Sequence, residues 1–244
     1  MSIFKKSKKA RKRNKKPEIC LSLNCDTMTQ IYEEIDRYKD YCAVVEWCVD
    51  KFPGAEQWTQ EEFVEKLTEV KQFCKGKRLT VDYKGDEKIG NEILRWAMGI
   101  ADIIDIDADN SEVHKLVRQA KRKGTQTLIS HHEFEKMPER DEIATQFIKM
   151  EKTGGDILKV AAMANSEQDT YDLLEGAAAY CQLKYHQPIV AIAMGEEGQV
   201  SRICAGDFGS VMTYACGSKP TAPGQFDAKR LYEYMKKYYS KEGL

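Results

Sequence analysis

At 244 residues, 42% hydrophobic and 32% charged, the chain can bury a core without disulfide staples and reads as one large domain or two small ones. No apolar run approaches the ~18 residues of a bilayer span, the basic start leads into no signal-peptide core, and the composition excludes collagen-like and wholly disordered classes. The net charge of −1 hides a division: Lys5, Lys6, Lys8, Lys9, Arg11, Lys12, Arg13, Lys15 and Lys16 fill residues 1–16 without an acid, and removing these nine from the 38 basic residues leaves 29 against 39 acidic.

Residues 1–16 read as a solvated, disordered leader, since a block of like charge repels itself. Only Phe4 interleaves with the lysines, so specific nucleic-acid reading is not expected. Strand-like runs then follow at Glu18–Leu23, Cys42–Val49, Arg78–Tyr83, Asp102–Asp107, Thr127–His132, Asp156–Met163, Pro188–Met194 and Val211–Cys216. Most are nearly continuous in apolar residues, as strands covered on both faces should be.

Helical patterns separate these runs. They cover Thr27–Tyr41, Thr59–Cys74, Asp86–Ile100, Ser111–Arg122, Glu139–Glu151, Ser166–Leu183 and Ala228–Tyr239, with a helical turn or two at Gly198–Ala205. Thr59-Gln-Glu-Glu has the form of a capping box. Eight strands, each followed by a helical segment, predict a single (β/α)₈ TIM barrel over residues 17–244. An open doubly wound sheet would carry a glycine-rich loop after its first strand; here that strand runs into Asn24-Cys25-Asp26-Thr27.

Eight cysteines show neither a Cys-x-x-Cys nor a zinc-type Cys/His spacing. Several lie within apolar runs and read as buried, reduced thiols, which points to a reducing, cytoplasmic compartment.

A barrel presents its chemistry at the C-terminal ends of its strands. Those ends carry Glu46, Cys48, Asp82, His131 and His132, with Lys159 inside the sixth strand and Arg202 just after the seventh. A lysine within an apolar run is costly unless used, and desolvation is expected to lower its pKa toward that of a nucleophilic amine. An imidazole at a strand end suits proton transfer near neutral pH. His131 and His132 alternate, so only one can face the axis. Carboxylate partners for it are sought at Asp82, Asp86 or Glu46. Arg202 offers a planar fork for a carboxylate, and Thr221-Ala222-Pro223-Gly224-Gln225 reads as a loop with a glycine hinge over the site.

The chain resembles the type I, Schiff-base, 3-dehydroquinate dehydratases. The ordered motifs are VVEWCVD (44–50), ISHHEF (129–134), GGDILKVAAM (154–163), GQVSR (198–202), FGS (208–210) and TAPGQ (221–225). The resemblance implies an imine on Lys159, proton transfers by His132 assisted by Asp86, and a carboxylate held by Arg202, Gln225 and Thr221. It further implies ring hydroxyls held by Glu46, a cyclic keto acid as substrate, and no cofactor or metal. Dimers are common in that family, though no interface is legible in these residues.

Four positions depart from the family pattern. Cys48 and Asp82 stand where arginines are usual, Asp86 where a glutamate is usual, and Glu133 where an aspartate is usual. The first two changes are expected to move the pocket by about three charges in the negative direction and to weaken or redirect recognition. A lyase of the same fold acting on a related cyclic keto acid, or a non-catalytic ligand-binding barrel, are the alternatives at this stage.

Overall fold

The computed structural model describes residues 16–240. The expected leader therefore lies outside the described residues except for Lys16, whose ammonium sits 4.5 Å from the centre of the Tyr232 ring.

The chain alternates β1 (Glu18–Leu23), α1 (Met28–Tyr38), β2 (Val44–Cys48), α2 (Gln60–Phe73), β3 (Arg78–Asp82), α3 (Glu87–Ala97), β4 (Ile103–Asp107) and α4 (Val113–Lys123). It continues with β5 (Gln126–Glu133), α5 (Arg140–Glu151), β6 (Ile157–Met163), α6 (Glu167–Cys181), β7 (Ile189–Met194), α7 (Gln199–Cys204), β8 (Met212–Cys216) and α8 (Ala228–Tyr239). All strand pairs are parallel, in the order β7-β6-β5-β4-β3-β2-β1-β8. Between β7 and β8 the ring is drawn together by a parallel bridge from Ile189 to Ser210 and by the Val211 N–H, which donates to the Ile189 carbonyl at 2.8 Å. The expected single (β/α)₈ barrel is the fold observed.

The period-two alternation of the strands sorts their side chains. Outward residues such as Leu21, Trp47, Leu79, Ile104 and Leu158 pack under the helices in the main core. Inward residues Val44, Ile103, Leu128, Ile157, Val190 and Met212 fill the lower barrel with hydrocarbon. Two residues further along the strands the interior turns polar, at Glu46, Asp105, Ser130 and Lys159, all buried. The apolar floor keeps water away from that polar layer from below.

Helix starts follow local capping chemistry. Thr59 accepts from the Glu62 N–H while the Glu62 side chain accepts from the Thr59 N–H, the expected capping box. Ser166 and Asp169 repeat the arrangement at α6. The fourth helix begins at Val113 rather than Ser111, because Asn110 Oδ1 accepts the Glu112 N–H at 2.8 Å and holds that turn outside the helix. No helix among the described residues is long and apolar enough to cross a membrane.

Thr59→Ala removes the hydroxyl acceptor of the box. Urea unfolding should show a loss of about 1 kcal/mol, with activity unchanged, because α2 begins on the outer ring.

Candidate active site

A cavity of about 380 Å³ opens at the C-terminal ends of the strands, lined by Glu46, Cys48, Asp82, Lys84, His132, Lys159, Arg202, Thr221 and Gln225 among others. Of the eight predicted catalytic and substrate-binding positions, the structure gathers all but Asp86.

Lys159 stands near its centre, 4% exposed. Its Nζ donates to Asp105 Oδ2 at 2.6 Å, lies 3.9 Å from Glu46 Oε1, and sits 4.7 Å from the centre of the Tyr214 ring. Burial pushes its pKa down, but Asp105, then Glu46 and Asp82, outweigh that and hold it above the ordinary lysine value. The expectation of a lowered pKa is thus corrected: desolvation acts, but the neighbouring carboxylates act more strongly. Asp105 is the reciprocal case. Burial alone would raise it, yet Lys159 and Lys84 hold it well below the usual carboxylate range.

Asp105 and Lys84 escaped the sequence reading. Asp105 breaks the apolar pattern of β4 in the same manner as Lys159 breaks β6, and that shared irregularity was its signal. Lys84, on the loop after β3, looks in sequence like any loop lysine. It reaches inward to Asp105 Oδ1 at 3.0 Å, Ser130 Oγ at 2.8 Å and Asp82 Oδ1 at 3.3 Å.

The β2 and β3 wall holds Glu46, Cys48 and Asp82. Ser22 donates to Glu46 Oε2 at 2.6 Å, and the Cys48 thiol approaches the same oxygen at 3.6 Å. Burial pushes Cys48 well up, with Glu46 and Asp82 adding to it. Asp82 is pushed up to about 7 by burial, against the pull of Lys84 and with Asp105 and Glu46 reinforcing. Ligand-type atoms of these three residues lie within 4.8 Å of one another. Each carboxylate already faces a lysine ammonium, so the wall has its own cations.

His132 faces the cavity and stacks on Phe134 with ring centres 5.8 Å apart and planes 9° apart. Burial, then Lys159 and Lys84, hold its pKa well below the usual histidine value, with Asp105 opposing. The ring is therefore neutral at pH 7 and able to accept a proton. His131 points the other way, its Nδ1 3.6 Å from Asp109 Oδ2. Strand alternation separates the two histidines as expected.

Arg202 is 1% exposed. Its guanidinium donates to the carbonyls of Gly224 at 3.0 Å, Tyr214 at 3.2 Å and Pro223 at 2.9 Å. Three of its five N–H groups are thereby engaged and two remain. Burial pushes its pKa down to about 10, the mark of a cation that has carbonyls around it but no carboxylate. Gln225 Oε1 accepts from the Thr221 and Ala222 N–H groups at 2.7 and 3.1 Å, closing the loop. Gly224 has φ +74°, and a Cβ there would collide with the Gly195 carbonyl, so only glycine lets this loop lie on the one after β7.

Asp86 is not brought to the site. It is exposed and caps α3, its Oδ1 accepting from the Lys88 and Ile89 N–H groups at 3.0 and 3.1 Å. A side chain used by two backbone donors at a helix start has no reach toward His132. The carboxylate whose field reaches that ring is Asp105.

The lysine, histidine and arginine thus share one cavity of an eight-stranded barrel. Residues 19–242 match the family model described as type I 3-dehydroquinase. The chain belongs to the type I 3-dehydroquinase family. It is 30% identical over 237 residues to the 3-dehydroquinate dehydratase of Alkaliphilus oremlandii, covering 91% of this chain and 93% of that one. It is also 30% identical over 231 residues to that of Klebsiella pneumoniae, covering 89% and 91%. Among solved structures it resembles the type I 3-dehydroquinate dehydratase of Clostridium difficile carrying covalently modified comenic acid, with TM-score 0.84, 25% identity and coverage of 92% and 93%.

Within this type I 3-dehydroquinase the charge shift expected from Cys48 and Asp82 is partly offset. Lys84 sits against Asp82, whereas Lys51 is paired within the same lining by Asp50 at 2.9 Å and adds no net charge.

Asp82 also sets a pH dependence. A carboxyl whose folded pKa is raised binds more protons folded than unfolded, so its contribution to stability is complete below the unfolded value near 3.9 and is lost as pH rises through about 7. Unfolding free energy measured between those limits should fall with pH by up to about 1.4 kcal/mol per unit from this group. Asp82→Asn should flatten that part of the curve; an unaltered slope would mean that Asp82 does not carry it.

Proposed function

We propose that the protein is a hydro-lyase that converts 3-dehydroquinate to 3-dehydroshikimate and water, a step of the shikimate pathway, through an imine on Lys159. The observation that supports this most is a buried lysine ammonium on the barrel axis, held by Asp105, in one cavity with a neutral His132 and an Arg202 that lacks an anionic partner.

Arg202 takes the substrate carboxylate with its two free N–H groups, because a buried guanidinium without a counter-charge favours an anion strongly. The loop of Thr221 and Gln225 closes that end, and Glu46 accepts from ring hydroxyls. Lys159, once deprotonated, attacks the ketone carbon. The carbonyl oxygen leaves as water as the C=N bond forms. His132 takes a proton from the carbon next to the imine, whose nitrogen draws the electron pair, and returns a proton to the departing hydroxyl, which leaves as a second water. Water then hydrolyses the imine, restoring the ketone and the lysine. All eight cysteines are free thiols, and we place the enzyme on that ground in a reducing compartment, the cytoplasm.

One observation favours a second substrate within the same chemistry. Among the described residues Glu46 Oε1 and Asp82 Oδ1 are buried and make no hydrogen bond, although lysine ammonium groups stand 3.9 and 3.3 Å from them, so a cyclic keto acid richer in donors along that edge is the alternative. The ratio of kcat/KM between such an acid and 3-dehydroquinate decides between them.

Borohydride added with 3-dehydroquinate should give one covalent adduct in the intact mass spectrum. Lys159→Ala should give none and lose turnover by orders of magnitude; an adduct on that variant, or none on the unaltered protein, would end the reading. His132→Ala should lose roughly 10²–10⁴-fold in turnover while still accumulating imine, and His131→Ala should stay near the parent.

A further inference from the structure

Asp105 faces two ammonium groups. Its Oδ2 accepts from Lys159 at 2.6 Å and its Oδ1 from Lys84 at 3.0 Å. Ser130 links the same atoms, accepting from Lys84 at 2.8 Å and donating to Asp105 Oδ1. Asp82 Oδ1 stands 3.3 Å away as an ion-pair partner without a hydrogen bond, so the Lys84 ammonium makes two hydrogen bonds and one further charge contact. The side chain is still 26% exposed, but its ammonium is turned inward and hydrogen-bonded to the carboxylate that holds Lys159.

We propose that Lys84 is a positioning residue for the nucleophile: it holds one oxygen of Asp105, divides that carboxylate's charge between two ammonium groups, and so leaves the Lys159 amine easier to free for attack on the substrate ketone. The proposal rests on the reading of Lys159 as the imine-forming residue.

The surroundings of Lys159 show why a second cation matters. Cys20 faces it from β1, Glu46 and Cys48 from β2, Asp82 from β3, Asp105 from β4, His132 from β5 and Tyr214 from β8. The strand β7 offers only apolar side chains, and Arg202 is turned to backbone carbonyls. Burial pushes Cys20, Cys48 and Tyr214 up and leaves them neutral, and His132 is neutral too. The charges that decide are therefore three carboxylates against Lys84. Without Lys84, those carboxylates would all act on one ammonium and lock its proton in place. Lys84 opposes them on both Lys159 and His132, an arrangement in which one cation activates a neighbouring lysine.

Competitive labelling with acetic anhydride across about pH 6 to 11, with the Lys159 peptide quantified by mass spectrometry, reads this amine without any substrate. Lys84→Gln and Lys84→Met should slow its labelling about tenfold or more at each pH in that range, as expected when the amine holds its proton more tightly, and Lys84→Arg should leave it near the parent rate. Trapping of 3-dehydroquinate by Lys84→Gln should fall about tenfold at pH 7 and recover as pH rises. An unmoved labelling curve in a folded Lys84→Gln or Lys84→Met protein would overturn the proposal. So would failure of both to fold while Lys84→Arg folds, since Lys84 would then be structural alone. A parent protein that labels as expected but does not trap 3-dehydroquinate would count against the functional reading and leave the effect of Lys84 measured.

Discussion

The Lys159–Asp105 pair sets an ammonium and a carboxylate 2.6 Å apart inside a barrel whose lower interior is hydrocarbon. Neither ion could be placed there alone. An uncompensated buried charge is strongly destabilising, whereas a paired and hydrogen-bonded one is tolerated. The barrel satisfies this by strand alternation: β4, β5 and β6 each turn one polar residue inward just above the apolar floor, so Asp105, Ser130 and Lys159 arrive on adjacent strands. The fold thus positions Lys159 through the same periodicity that builds the core.

That pairing also creates the chemical difficulty of the site. A lysine held by a carboxylate keeps its proton, while imine formation needs the free amine. The structure meets this with opposing charges rather than with desolvation alone. Lys84 on one side and the neutral ring of His132 on the other give the proton somewhere weaker to be held and somewhere to go. Arg202 works at the far end under a different constraint. Its three bonds to backbone carbonyls tie α7 to β8 and to the loop at Gly224, so the group suited to an anion is also the group that shapes the loop covering it.

The barrel was legible because apolar runs and helical periods alternate along the chain without interruption; most boundaries moved by a residue or two, as at Asn110, and the ends of α1 and α3 by three. Lys159, His132 and Arg202 were legible because each violates its local pattern or sits in an ordered motif. Asp105 was visible in principle by the same violation in β4, but an aspartate in Asp-Ile-Ile-Asp-Ile-Asp competes with flanking aspartates that end at the rim. Lys84 carried no signal, since a loop residue's direction depends on tertiary placement. Asp86 shows the converse: aligning it to a functional position was reasonable, yet a short carboxylate directly before a helix is held by the backbone N–H groups it caps.

Cys48 and Asp82 gain a physical context from this arrangement. Where the family resemblance implies two guanidiniums, a thiol and a carboxylate alone would leave an acidic wall facing an acidic substrate. Asp82, however, lies 3.3 Å from Lys84, and burial holds its pKa well above the usual carboxylate value. Cys48 is neutral and buried. The cation beside this wall is thus one ammonium on the following loop, where the family resemblance implies planar forks on the strands. An ammonium supplies charge but not bidentate geometry. The wall consequently retains the electrostatics needed to admit a hydroxylated anion while losing directional donors, and discrimination among ring substituents should rest more on Glu46 and on the Arg202 end than on β3.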